Sequence, residues 1–205
     1  MTGRLNSALN YLLVLLLLNF TVGLAYGQEK EWDTFNGERY KRDKHLMLTL
    51  GSWSIANAGV SAYGWATTDN EAKYFHQMNV MWSGINLALA LPGYLKANKP
   101  GTDGLSRASI IQEQYKTEKI FLFNTGLDVG YVATGFWLKQ RALNDPENYQ
   151  RFRGWGNAVI LQGGFLFLFD LSAYLIHANH RKNKLNPLLN QLDLSDNGLG
   201  LKWTF

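Results

Sequence analysis

Between the ends of its long apolar stretches this chain carries two acidic residues, Asp128 and Asp170. An ionised carboxylate among apolar side chains is costly unless paired, and no Lys or Arg falls inside the same stretches to pair it. Three kinds of chemistry relieve that cost. The two acids share a proton, they hold an ion or small polar ligand, or they hydrogen-bond as neutral groups to nearby amides. Asn57, Asn86 and Asn124 are candidate amides for such a layer, with Asn124 one helical turn from Asp128. Histidine offers a second chemistry. His45, His177 and His180 fall near one end of the stretches and His76 near the other. His45 and His177 are weak candidates for ligating haem or a metal ion, since no HxxxH or ExxH spacing supports them. Catalytic patterns are missing from the sequence. No Ser falls into a triad with Asp and His, no glycine-rich phosphate loop precedes a helix, and no Cys is available for thiolate or disulfide chemistry. The expectation is a non-enzymatic protein of unspecified cofactor.

Helices must position these groups. Four stretches of near-uniform length, about residues 45–65, 74–95, 119–138 and 155–178, each match the ~20 residues that cross ~30 Å of hydrocarbon. The expected fold is all-α, a four-helix up-down transmembrane bundle. Asp128 follows Lys119 by nine residues and Asp170 precedes Ala178 by eight. At 1.5 Å per residue both sit ~12–14 Å from the same face, and Asn86 and Asn57 fall near that depth. Small residues at four-residue spacing suggest close helix packing: Gly126 and Gly130, Gly84 and Ala88, and Ser54, Ala58 and Ala62. Asp145-Pro146-Glu147 reads as a capped helix start before the fourth stretch. Thr68 to Glu71 reads as a tight turn between the first two stretches. Leu105, Ala108, Ile111 and Tyr115 read as a short interfacial helix.

The flanks divide the chain further. Arg4, the apolar run Tyr11–Leu18 and the small residues of Ala25-Tyr26-Gly27 have the pattern of a secretory signal over residues 1–27. Residues 28–44 read as an exposed polar leader, 45–180 as the bundle and 181–205 as a tail. In the tail, Asp196-Asn197-Gly198 between alternating segments reads as a short β-hairpin. Lys and Arg exceed Asp and Glu by only four, and the excess comes from loops, so nucleic acid is not an expected partner. Export of the leader would place most Lys and Arg outside, against the usual cytoplasmic bias. A mean hydropathy of −0.18 is low for a mostly lipid-buried chain, so polar side chains must dilute the helices.

Four segments carry a resemblance: His45–Trp53, Tyr74–Trp82, Glu118–Asp128 and Arg153–Asn157. Together they resemble an uncharacterised family of four-helix integral membrane proteins met mainly in Bacteroidota, and the similarity covers all four stretches. The resemblance implies a bacterial membrane protein and carries no activity. The partners expected are the lipid bilayer and either further copies of this chain (a homo-oligomer) or another membrane protein. The inner membrane is favoured over the outer. A structural or accessory component is the first functional expectation. A proton-, ion- or small-ligand-linked protein using the Asp/Asn layer is the second, with haem binding a less expected form of it, and an enzyme is the third.

Overall fold

The computed structural model describes the backbone of residues 2–98, 105–190, 192–195 and 198–201, and the side chains of residues 29–98 and 105–190. Four long helices dominate: α1 (Thr2–Thr67), α2 (Asn70–Ala97), α3 (Arg107–Ala142) and α4 (Tyr149–His180). The turn from α1 to α2 is short, and Asn70 takes a φ of 54° there, a left-handed conformation that Asn tolerates. Ser106 caps α3 by accepting from Ser109 N at 3.2 Å. Asp145 accepts from Asn148 N at 3.2 Å at the start of a 3₁₀ turn, Pro146–Asn148, that leads into α4, the start the Asp-Pro-Glu spacing predicts. A π-helical turn, Arg181–Leu185, joins α4 to the short α5 (Asn186–Asn190). Beyond it β1 (Leu192–Ser195) pairs antiparallel with β2 (Gly198–Leu201). Side chains of residues 191–205, like those of the segment read as an export signal, lie outside the described residues.

The helices form a bundle in which α1 packs along α2, α2 against α4, and α4 along α3, while α2 and α3 scarcely touch. The apolar cluster at its heart is formed by Leu46 and Leu50 of α1, Ala90 of α2, Phe121 of α3 and Leu166, Phe169 and Ala173 of α4. Helical periodicity accounts for the buried stripes. In α2 the buried positions are Asn79, Ser83, Asn86 and Ala90, and in α3 they include Gln114, Glu118, Phe121, Thr125 and Asp128. Much of what these helices turn inward is polar. Ile55, Val60, Leu89, Phe123 and Leu168 lie on the outside, Val60 being 66% exposed and Leu168 65%. Buried polar side chains and large exposed apolar ones are the two departures from the usual pattern that carry information.

Several expectations need correction. Residues 28–44 are no exposed leader. They continue α1, and Trp32, Phe35, Asn36 and Arg39 are buried at i, i+3, i+4 and i+7. Trp32 and Phe35 join Ile110, Leu185 and Leu188 in a second apolar cluster, so the first ten residues of the segment read as a tail, 181–190, are helical and packed. The segment read as a short interfacial helix is the first part of α3. By length and composition one segment among the described residues, Pro146–Asn190, could cross a membrane, an 18-residue window within it having a mean hydropathy of 1.8, where four were expected. The other helices fall short because mean hydropathy counts their inward-facing Asn, Ser, Gln and Thr as heavily as their outward-facing Leu and Ile.

Glycine contacts also differ from the spacing argument. A Cβ on Gly84, Gly126 or Gly130 would meet nothing within 4 Å. Close approaches lie elsewhere, at Gly154 of α4 against the α2 backbone and where α3 crosses α4. A Cβ on Gly135 would stand 2.7 Å from the carbonyl oxygen of Gly156, and one on Gly156 would stand 2.7 Å from that of Gly135.

Candidate functional site

Because α2 and α3 both lean on α4 but barely meet, a cleft remains between them. It has a volume of about 460 Å³ and takes lining from all four long helices. Its outer end is charged: Arg39 and Asp43 from α1, Lys96 from α2 and Glu113 from α3. Its inner end is formed by Asp128, Asp170, Asn86 and Asn124. Fifteen residues of α3 separate Glu113 from Asp128, which makes the cleft ~22 Å long.

The inner end unites four of the five residues that the depth argument selects. Asp128 is 2% exposed, Asp170 5% and Asn86 1%. The carboxyl groups of Asp128 and Asp170 are neighbours, with Asn124 beside Asp170. Asp128 Oδ2 is buried without a hydrogen-bond partner. Asn57 stands apart from this layer: it lies half-buried on α1, where its Oδ1 accepts from Ser61 Oγ at 3.0 Å. Depth along a helix does not fix direction around it.

Below the carboxylates the interior closes. Gln162 of α4 is fully buried; its Nε2 donates to Asn79 Oδ1 at 2.6 Å. Its Oε1 accepts from Trp53 Nε1 at 3.2 Å and from Asn86 Nδ2 at 3.4 Å. One amide thereby ties α1, α2 and α4 together. Sequence reading missed Gln162, although it lies eight residues, about two turns, before Asp170 and on the same side of α4. Nearer the other face, Asn157 Nδ2 donates to Glu71 Oε1 at 2.6 Å, and Arg153 pairs with Glu71 at 3.1 Å.

At the cleft's outer end the charges are mutually engaged. Arg39 donates to Asn36 Oδ1 at 2.9 Å and pairs with Asp43 at 3.3 Å. Lys96 pairs with Glu113 at 3.2 Å. Burial alone would push the Glu113 carboxyl up, but its hydrogen bond and charge interaction with Lys96 outweigh that and hold it below its ordinary value. Glu118 accepts from Arg181 Nε at 2.8 Å and from Gln114 Nε2 at 2.8 Å, and this bond keeps the Arg181 guanidinium above its usual range.

His45 and His177 do not come together. His45 is exposed on α1, whereas His177 is buried on α4, stacked on Phe121 and 3.1 Å from Asp43. Among the described residues no group of three His, Cys, Asp or Glu could hold a metal ion. His180 is 2% exposed, stacked on Phe35 at 4.5 Å, with Nε2 3.1 Å from Glu38 Oε2. Burial, aided by the charge of nearby Arg42, pushes its imidazole down to about 4, which Glu38 offsets only in part.

A family described as "Family of unknown function (DUF6992)" matches residues 49–171, a range that takes in the whole inner end of the cleft. No curated protein matches the chain, and no solved structure does.

Proposed function

We propose, from the premise that the chain belongs to the DUF6992 family of unknown function, that it is an integral membrane protein whose Asp128–Asp170 layer takes up a proton or a small polar ligand. The observation that carries this reading is the pairing of an apolar exterior with a cleft that ends on two buried carboxyl groups. In lipid, outward Leu, Ile and Phe are solvated by acyl chains, and inward Asn, Gln and Asp satisfy one another. A polar residue at that depth is costly, so it is usually turned to an interior or a functional cavity. The resemblance to bacterial four-helix membrane proteins supports the same reading, with a bacterial membrane as the location and residues 1–27 as an export signal. The helical continuation of α1 before residue 45, with its charged residues, supports an extra-membrane cap at that end of the bundle.

A second reading is a structural or accessory component. The Gln162 network favours it, because fully bonded amides fix helix register without any ligand. One experiment separates the two. The lipid-soluble dicyclohexylcarbodiimide reaches carboxyl groups from the apolar phase and reacts with them only when they carry a proton. Treatment of the full chain in non-ionic detergent, followed by peptide mass mapping, should put the adduct on Asp128 or Asp170 and lose it in Asp128→Asn with Asp170→Asn. Absence of adduct in a folded sample, or a protein monodisperse in buffer without detergent, overturns the proposal.

A further inference from the structure

We propose that the cleft is a binding site for lipophilic amines, which enter sideways from the bilayer between α2 and α3 and place their ammonium group on Asp128 and Asp170. This rests on the membrane reading above and adds a ligand class to it.

The route follows from helix packing. The backbones of α2 and α3 stay apart along their length, bridged by the Lys96–Glu113 pair and the Trp82–Tyr131 contact, and between those two bridges the cleft has a lateral opening. Its lips, Ile85 and Leu89 on α2 and Ile120 and Leu127 on α3, are exposed to the surroundings and line the cavity as well. A bundle in lipid therefore offers acyl-chain-facing edges that lead inward without a polar barrier. The cleft is also long and narrow, ~22 Å by helical rise, which suits an extended apolar body more than a compact solute.

The head group follows from charge. Among the described residues the inner end of the cleft holds two acids and no cation. The cationic lining residues, Arg39 and Lys96, stand at the other end and are already paired with Asp43 and Glu113. Asp128 is almost wholly buried, lines the cavity and has Oδ2 without a partner. That atom asks for a donor, and a positive charge would compensate the pair as well. Asn86, with its amide nitrogen engaged by Gln162, adds a carbonyl acceptor. Trp82 and Tyr131, edge to face at 4.9 Å, bring aromatic rings that also favour a cation. An ammonium carries a full charge and three N–H donors. A hydroxyl brings one donor without charge, and a carboxylate would be repelled.

The test uses decylamine, decanol and decanoate on the full chain in non-ionic detergent, with melting temperature and carbodiimide labelling as readouts. Decylamine should raise the melting temperature saturably, by roughly 3–6 °C at ten times its dissociation constant, and, with the carbodiimide in excess, should lower the total modification of Asp128 and Asp170, counting both the carbodiimide adduct and the decyl amide that a primary amine forms with an activated carboxyl. Decanol and decanoate should do neither. Asp128→Asn should lose the thermal response; the protection measurement on the unmodified chain decides the matter where that variant folds poorly. Equal stabilisation by decanol or decanoate overturns the amine assignment. So does labelling of the two acids that decylamine leaves undiminished, an outcome in which the proton-linked membrane site itself survives. A chain that is neither labelled nor dependent on detergent overturns both.

Discussion

At the scale of single residues, the interior is polar and each buried group has a cost that its neighbours offset. His180 illustrates the sign of that balance. Its imidazole is enclosed by Phe35, with Glu38 in contact and Arg42 and His177 near enough to disfavour a further positive charge. The folded state therefore keeps it neutral until about pH 4, whereas an unfolded chain binds the proton near its ordinary value of 6.5. Above about pH 6.5 neither state is protonated and His180 makes no difference. As the pH falls from there towards 4, the unfolded state gains the proton first and stability drops, by roughly 2–3 kcal/mol over the window. In a melting series from pH 7.5 to 4, the stability of the unmodified protein relative to His180→Gln should fall by that amount. Parallel curves would mean that His180 titrates alike in both states. The same scale shows what could be read in advance. Asp128, Asp170, Asn86 and Asn124 were legible because a polar group in an apolar stretch stands out and helical rise converts its position into depth. Asn57 misled because the azimuth of α1 turns it towards Ser61 rather than the cleft. Trp32, Phe35, Asn36 and Arg39 were hidden by the charged residues around them, although their i, i+3, i+4, i+7 spacing was present to be read.

At the scale of elements, the contact between α3 and α4 holds one wall of the cleft. Gly135 and Gly156 let the two backbones meet, each glycine lying where a methyl group would press on the other's carbonyl oxygen. Such contact replaces the hydrophobic effect as the source of association when helices are surrounded by lipid. Spacing alone selected the wrong glycines. A four-residue repeat says which residues share a face, but the facing helix decides whether the face is used. Gly126 and Gly130 look into open space, so Gly126→Ala should be neutral or stabilise the helix by up to ~1 kcal/mol through backbone entropy. Gly135→Ala should force α3 and α4 apart and cost ~1–3 kcal/mol, as overpacking does. Thermal unfolding of the two variants in the same detergent checks the contrast. Equal effects would show that the crossing is looser than the distances of 2.7 Å require.

At the scale of the whole molecule, the interior mixes Leu, Phe and Ala with Asn, Gln, Ser and Asp while many large apolar residues face outward, and this bears on how the hydropathy average should be read. A window average treats Asn79, Ser83 and Asn86 as penalties against crossing a membrane, although they are buried and meet no lipid. It gives no credit for the many large apolar residues that the same inward rotation leaves outside. Leu168 probes that surface directly. It is 65% exposed on α4, close to the level of Asp170, which the depth argument places well inside the apolar layer. In water, Leu168→Arg at so exposed a position would be near neutral, within ~0.5 kcal/mol as for surface changes generally. In lipid the same substitution places a guanidinium among acyl chains and costs on the order of 3 kcal/mol on insertion scales. The expected outcome is a sharp fall in the membrane-inserted fraction of Leu168→Arg, while Lys116→Arg at the charged end inserts as the unmodified chain does. If Leu168→Arg accumulates and melts like the parent, the outer surface faces water, and the polar interior of this bundle must be explained without a membrane.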